Sequence, residues 1–479
     1  MLSLAVAKLN FLERDEEEFI HEQSLKSLKE IGVLVRSDLV AKMLADNGAE
    51  VDKKGVVKIP ESMIREALQR ATKEFTLAAR DSKNDLKLPV DGPPFMSTDG
   101  LAVFMYDPKT GKKRTTTRKD LANFARLADA LEGVDFFWPM VTAYDVRPES
   151  HSIHEQWTSL QNCTMHIQGD SLSADDAILQ VKLASLIVGG EEELKKRPIF
   201  STVNCPIAPL SFEKGSVEAQ VELAKAGIPI VAMSMSLSGM SCPVTIAGTI
   251  INVNTENLAS LVITQFASPG APHIFSSESW PVDMMTGSTN YSAPEMPFIS
   301  AAIGQLARRY GRPSMVGSWG VGGDKPGMMS SLVEILPTIL TVLTGTDLVT
   351  GVGGLDNAKG SALEQMVIDS YLWEDVRGFI RHLSIDEKTA ALDVVKQVGH
   401  GNSFLTHPHT AMNFRKELFF FNKKRDHWWA TQSDRMVPEA KEIAKKLLRE
   451  HKVPEIDKSI VKQGNELIKK YERETIRKK

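Results

Sequence analysis

A long serial alternation of helical and strand-like segments predicts an α/β protein, a (β/α)8 TIM barrel with an N-terminal α+β extension and C-terminal helices. Two further features support this. Each helix of the series closes on Gly or Pro-Gly, as C-caps do. Each strand opens apolar and runs out into Ser, Asn, Gly, Cys or Met, as in RPIFSTVNCP, IPIVAMSMS, APHIFSSESW, RPSMVGSWG and TDLVTGVGG. A parallel sheet covered by helices on both faces requires such continuous apolar runs. The boundaries read as a cap over 1–115, a barrel over 116–430 and a helical segment over 431–479.

The N-terminal segment begins with EEFIHEQSLKSLKEIGVLV, which sets Phe19, Ile20, Leu25, Leu28 and Ile31 roughly on one helical face. Pro60 opens a second helix, with Met63, Ile64, Ala67, Leu68 and Ala71 at helical spacing. EFTLAAR and FMSTDGLAVFMYD read as strands. The second enters KKRTTT through Asp107-Pro108-Lys109-Thr110-Gly111, a hairpin signal. PVDGPP is a turn cluster. The series then starts with the helix TRKDLANFARLADALEG and the strand FFWPMVTAYDV. It continues through the weaker strand TMHIQGDS to TDLVTGVGG, which makes seven strands. HGNSFLTH (400–407) is the candidate for the eighth. An open doubly wound sheet is the alternative.

Composition narrows the function. Net charge is −4 and no basic stripe is interleaved with aromatics, which argues against nucleic acid. The three cysteines, Cys163, Cys205 and Cys242, are far apart and odd in number, as expected in a reducing cytoplasm. The N-terminus does not read as a signal peptide, and no run of about 18 apolar residues predicts a membrane span.

Motifs exclude more than they assign. GVGGLDNAKG follows a strand, but Asp356 stands where a dinucleotide loop needs its third glycine. The His407-Pro408-His409 pair and the His151/His154 pair lack the further ligands of a zinc site, so no metal is expected. Cys205 and Cys242 each precede Pro and read as turn residues. Lys325 and Lys359 lie in loops rather than at strand ends, where a Schiff-base lysine would sit. In a barrel the site lies at the C-terminal ends of the strands, where small residues leave a hollow. Tyr144, Trp280 and Trp319 fall at or just past such ends, and Tyr291 follows in a loop. Aromatic faces suit a cation that cannot donate hydrogen bonds, at roughly 0.5–2 kcal/mol each, and Glu278 would add an anion beside Trp280.

The whole chain resembles the trimethylamine methyltransferase family. The resemblance is carried by RPIFSTVNCPIAPL, GIPIVAMSMSLSGMSCPVTIAGT, SAPEMPFISAAIGQLARRYGRPS, LEQMVID and GHGNSFL. It implies a (β/α)8 barrel and methyl transfer from an amine to the Co(I) of a separate corrinoid protein. The cobalamin-type cofactor would thus be supplied by a partner and not bound covalently here. Archaeal members carry pyrrolysine at the barrel mouth, and the resemblance puts Gly320 at that position. Members without pyrrolysine resemble quaternary-amine enzymes, with glycine betaine the first candidate. Proline betaine, carnitine and choline-like amines follow, and a non-catalytic betaine-binding barrel is the alternative. A betaine carboxylate would need donors, for which Asn204, Lys325, His407 and Arg147 are the candidates. The resemblance also marks His154 and Glu155 as a His-Glu pair. The charged C-terminal helices read as a solvated face. A second subunit of a homo-oligomer, or the corrinoid protein, is the other candidate to cover them.

Overall fold

The computed structural model describes residues 9–291, 293–319, 322–381, 383–418 and 433–478. Eight parallel strands close into a barrel in sequence order. They are β1 (Phe95–Thr98), β2 (Phe136–Phe137), β3 (His166–Asp170), β4 (Phe200–Asn204), β5 (Ile230–Ser234), β6 (His273–Ser277), β7 (Ser314–Ser318) and β8 (Leu348–Val352). Closure joins β8 to β1 through Leu348↔Phe95 and Val349↔Met96, and β1 to β2 through Ser97↔Phe136. The outer layer includes α1 (Arg118–Asp129), α2 (His151–Asn162), α3 (Ala174–Val188), α4 (Lys214–Lys225), α5 (Ile246–Ala267), α6 (Met296–Arg309), α7 (Met328–Leu343) and α8 (Leu363–Arg377). Thr117 starts α1 with a reciprocal capping box to Asp120, and Gly189 ends α3 in the left-handed conformation that glycine adopts without a Cβ penalty.

Two sequence expectations need correcting. The barrel begins at Phe95, inside the segment read as cap, because the turn cluster before it hid an inward-facing strand. HGNSFLTH is not a strand. His400-Gly401 and Leu405-Thr406 lie in turns, and His407 caps the helix Pro408–Glu417 by accepting from the His409 N–H at 3.1 Å.

The N-terminal end of the barrel is plugged. The hairpin of Phe75–Leu77 and Leu86–Leu88 inserts Leu77, Leu86 and Leu88 into one cluster with Phe136, Val231, Ile274, Met315 and Leu348. Polar atoms at this end are matched. His166 donates from Nδ1 to the Ala78 carbonyl at 2.7 Å and accepts at Nε2 from the Ser201 hydroxyl at 2.9 Å. Asp347 accepts from the backbone N–H of Val90 and Ser314.

The helices Arg14–Glu30, Asp38–Asp46 and Glu61–Arg70 pack on the outside against α5. Their small sheet borrows Ser211–Phe212 from the loop after β4, paired in parallel with Val33–Val35. At the other end of the chain, α9 (Ser433–Glu450) and α10 (Lys458–Lys478) are not simply solvated. Met436, Ala440, Ala444 and Ile468 join the barrel's outer core, and Tyr471 bonds Asp176. No described helix is long and apolar enough to cross a membrane.

Candidate active site

The loops leaving the C-terminal ends of the strands enclose a cavity of about 370 Å³. Its wall carries three carboxylates from distant parts of the chain: Asp99 just after β1, Asp170 ending β3, and Glu278 just after β6. The apolar wall includes Trp138, Val203, Met233, Met235 and Tyr291. Leu172, Ile207 and Met235 also line it and are exposed, so the rim toward solvent is apolar.

Backbone pairing that outlasts the barrel holds these groups. The Glu278 N–H donates to the Ser234 carbonyl at 2.9 Å, and the two following segments pair as Leu237↔Trp280 and Ser238↔Pro281. This places Trp280 behind Tyr291, with ring centroids 4.1 Å apart at 32°. Asp170 is fixed through its own carbonyl, which accepts from Gln180 Nε2 at 2.8 Å. Thr350 on β8 donates to the Thr98 carbonyl on β1 at 2.8 Å, tying the mouth where the barrel closes. Ala358 reaches the cavity from three successive left-handed residues, Asp356, Asn357 and Ala358. Tyr106 and Lys113 hold that turn through Asp356.

The field in the cavity is negative. Burial, with the nearby Asp176 carboxyl, pushes Asp170 up to about 6, so it is mainly ionised at neutral pH. Burial, reinforced by Asp170, pushes the buried Glu155 of α2 up to about 8, so it keeps its proton at neutral pH. Burial pushes the Cys205 thiol up to about 12, with Asp170, Glu278 and Glu256 adding to it, so Cys205 stays protonated and is not a nucleophile. Among the described residues, no cluster of three or more His, Cys, Asp or Glu side chains is placed to hold a metal.

Of the residues singled out in the sequence, Asn204 and Glu278 lie on the cavity wall, and Trp280 lies directly behind it. Asn204 donates from Nδ2 to the Ser216 carbonyl and Gln220 Oε1, which leaves its buried Oδ1 without a partner. Trp319 is not on the wall. It is fully buried in the helix layer, edge-on to Trp373 of α8 at 5.7 Å. The cause is local: Gly317 has φ 94° and the β7–β8 register slips between Met315 and Ser318, so the in–out alternation breaks before Trp319. Gly351 then allows the Trp319 backbone to approach within a distance that a Cβ would forbid. Tyr144 is half exposed beside His151, Lys325 and Arg147 are exposed, and none of the three lines the cavity. His407 is spent as a helix cap and does not line the cavity. Gly320 lies outside the described residues. His154 pairs with Glu472 of α10 at 3.0 Å, a link between barrel and C-terminal helix. Asp99, Asp170 and Trp138 were missed. Each stands at a strand end, in STDG, QGDS and FFWP, and a uniform search of strand ends for acids and aromatics would have found them.

A closed parallel barrel with its cavity at the C-terminal mouth has the architecture of TIM-barrel enzymes. The model of the trimethylamine methyltransferase (MTTB) family matches residues 2–475, and the chain belongs to that family. It is 31% identical to the trimethylamine methyltransferase MttB of Desulfitobacterium hafniense over 442 residues, covering 91% of this chain and 89% of the relative. It is 29% identical to a glycine betaine methyltransferase of the same species over 415 residues, covering 86% of each. The crystal structure of the Methanosarcina barkeri monomethylamine methyltransferase shares the fold, with a TM-score of 0.54 at 13% identity, covering 93% of this chain and 89% of that one.

Proposed function

We propose that this protein transfers a methyl group from a quaternary amine to the Co(I) of a corrinoid protein. The candidate donors are glycine betaine, proline betaine, carnitine and choline-like amines. The observation that carries this reading is the small, acid-walled and partly aromatic cavity at the barrel mouth. Its volume takes a small ammonium ion and not a corrinoid macrocycle, so the acceptor would approach from outside across the apolar rim of Leu172, Ile207 and Met235.

The chemistry asks for little beyond binding. When the N–CH3 bond breaks, its electron pair stays on nitrogen and a neutral tertiary amine leaves, so no general acid is needed. Reduced cobalt supplies the electron pair that takes the methyl. This chain's residues hold the substrate. Asp99, Asp170 and Glu278 attract the cation, and Tyr291, backed by Trp280, offers it an aromatic face. Together they fix which N-methyl faces the rim.

The test is a donor panel. The purified chain is mixed with reduced cobalamin or a corrinoid protein and each amine in turn, and the Co(I) absorbance is followed. Loss of Co(I) signal with a stoichiometric tertiary amine product is expected for at least one donor. If no quaternary amine consumes Co(I), this reading fails.

A further inference from the structure

Within the proposed reading of the cavity, on which this inference rests, the wall is not built by the barrel alone. We propose that the C-terminal helix α10 is part of the substrate site, with Tyr471 as a positioning residue that acts through Asp176 to set the loop carrying Asp170, Ser171 and Leu172 onto the cavity wall.

Those three successive residues, where β3 passes into α3, all line the cavity. Two side chains of α3 hold them. Gln180 donates from Nε2 to the Asp170 carbonyl at 2.8 Å and accepts from the Ser171 hydroxyl. Asp176 Oδ2 accepts from the Leu172 N–H and from the Ser152 hydroxyl of α2, each at 3.2 Å. The Leu172 carbonyl lies against Gly215 at the start of α4, so close that a Cβ there would clash with it. Leu172 is thus fixed through both its N–H and its carbonyl, while its exposed side chain forms part of the rim.

Asp176 is 2% exposed, and a carboxyl held that far from water needs partners on both oxygens. Leu172 and Ser152 serve Oδ2, and Oδ1 takes the hydroxyl of Tyr471 from the far end of the chain. The seating of α10 brings that hydroxyl into place. Gly464, Ile468, Tyr471 and Thr475 share one face at helical spacing. Gly464 lets the helix close on the Trp157 ring of α2, and the Trp157 indole N–H donates to Asn465 at 3.0 Å. Ile468 enters the outer core, and Glu472 accepts from Ser150 at 2.9 Å and from His154 at 3.0 Å. Without the Tyr471 hydroxyl, Asp176 must turn, admit water or take up a proton. Each of these loosens its hold on the Leu172 N–H.

The test uses the full chain and compares variants on two sides of one bond with a control on the same helix. Tyr471→Phe removes only the hydroxyl. Asp176→Ala removes the carboxyl that receives it. Glu472→Gln weakens the hold of α10 on α2 without touching the wall loop. Amide exchange of residues 170–173 is followed by mass spectrometry without ligand, and tetramethylammonium binding by calorimetry at pH 7.5. Tyr471→Phe is expected to speed exchange in that segment and to weaken tetramethylammonium binding at least about threefold. Asp176→Ala is expected to do the same, and adding Tyr471→Phe to it to cost nothing further. Glu472→Gln is expected to lower the unfolding midpoint and leave both readouts unchanged. Unchanged affinity in Tyr471→Phe, an equal loss in Glu472→Gln, or additive losses in the double variant would make Tyr471 a mere anchor and overturn the inference. Should one of the two loop variants fail to fold, the other decides. Absence of tetramethylammonium binding by the wild-type chain counts against the ammonium reading of the cavity, and exchange then judges the loop by itself. Faster exchange in Tyr471→Phe but not in Glu472→Gln supports the assignment, and equal rates sink it.

Discussion

The two ends of the barrel are built from opposite materials. At the N-terminal end, Leu77, Leu86 and Leu88 enter the bore and close it, and polar groups such as His166 and Asp347 are matched by fixed partners. At the C-terminal end, three carboxylates, Asp99, Asp170 and Glu278, line an open cavity. Burial there pushes Asp170 up to about 6, which reflects the cost of holding a charge out of water. One end of the bore is packed shut and the other is left open.

That contrast can be broken at the plug. Leu77→Ala empties a fully buried position, and such deletions cost about 2–5 kcal/mol. Denaturant unfolding is expected to show that loss while the affinity for tetramethylammonium stays unchanged. A changed affinity at unchanged stability would mean that the ends are not independent.

Next in size is the acid response of two buried histidines. Burial lowers His166 to about 4 and His273 to about 3, both below the value of about 6.5 in an unfolded chain. Between those values the unfolded chain binds protons that the fold refuses, so stability rises with pH over this window and is lost as pH falls through it. The contribution is about 2 kcal/mol for each histidine by pH 5. Unfolding midpoints between pH 7 and 5 are expected to fall, and less so in a His273→Gln variant. A flat profile would remove the histidines from the account.

At the mouth the proton acts on binding. Protonating Asp170, whose value is about 6, removes one negative charge from the cavity wall, so affinity for a quaternary ammonium is expected to drop by up to about fourfold as pH falls from 7.5 to 5.5. Asp170→Asn is expected to show the weaker affinity at neutral pH and to lose most of that pH dependence. Retention of the full profile in the variant would assign it to another group.

The smallest effect belongs to the aromatics. Tyr291→Leu removes one face from the cation, worth about 0.5–2 kcal/mol of binding. Trp319→Phe is expected to change stability and leave affinity alone, because that ring packs on Trp373. Calorimetry on the two variants checks this in one comparison.

The legibility of these features followed their range along the chain. Seven barrel strands could be read because each is a local apolar run between a helix C-cap and a small-residue tail. The eighth was misread because FMST looks like the arm of a hairpin, and only closure from Leu348 to Phe95 shows where it belongs. Glu278 and Asn204 could be placed at strand ends because their strands are strong. Asp170 was missed because its strand, HIQGD, is polar on the face turned into the bore.

The sequence by itself determined the alternating architecture, the small residues that open a cavity at the strand ends and the family, since these depend on periodicity, caps and motifs within short windows. The tertiary structure decided which side chains share the cavity. Asp99, Asp170 and Glu278 converge only when the barrel closes, and the direction of Trp319 turns on a single glycine φ and a slipped register at β7. Convergence and side-chain direction are properties of the closed sheet, and a one-residue irregularity in it reverses what faces inward.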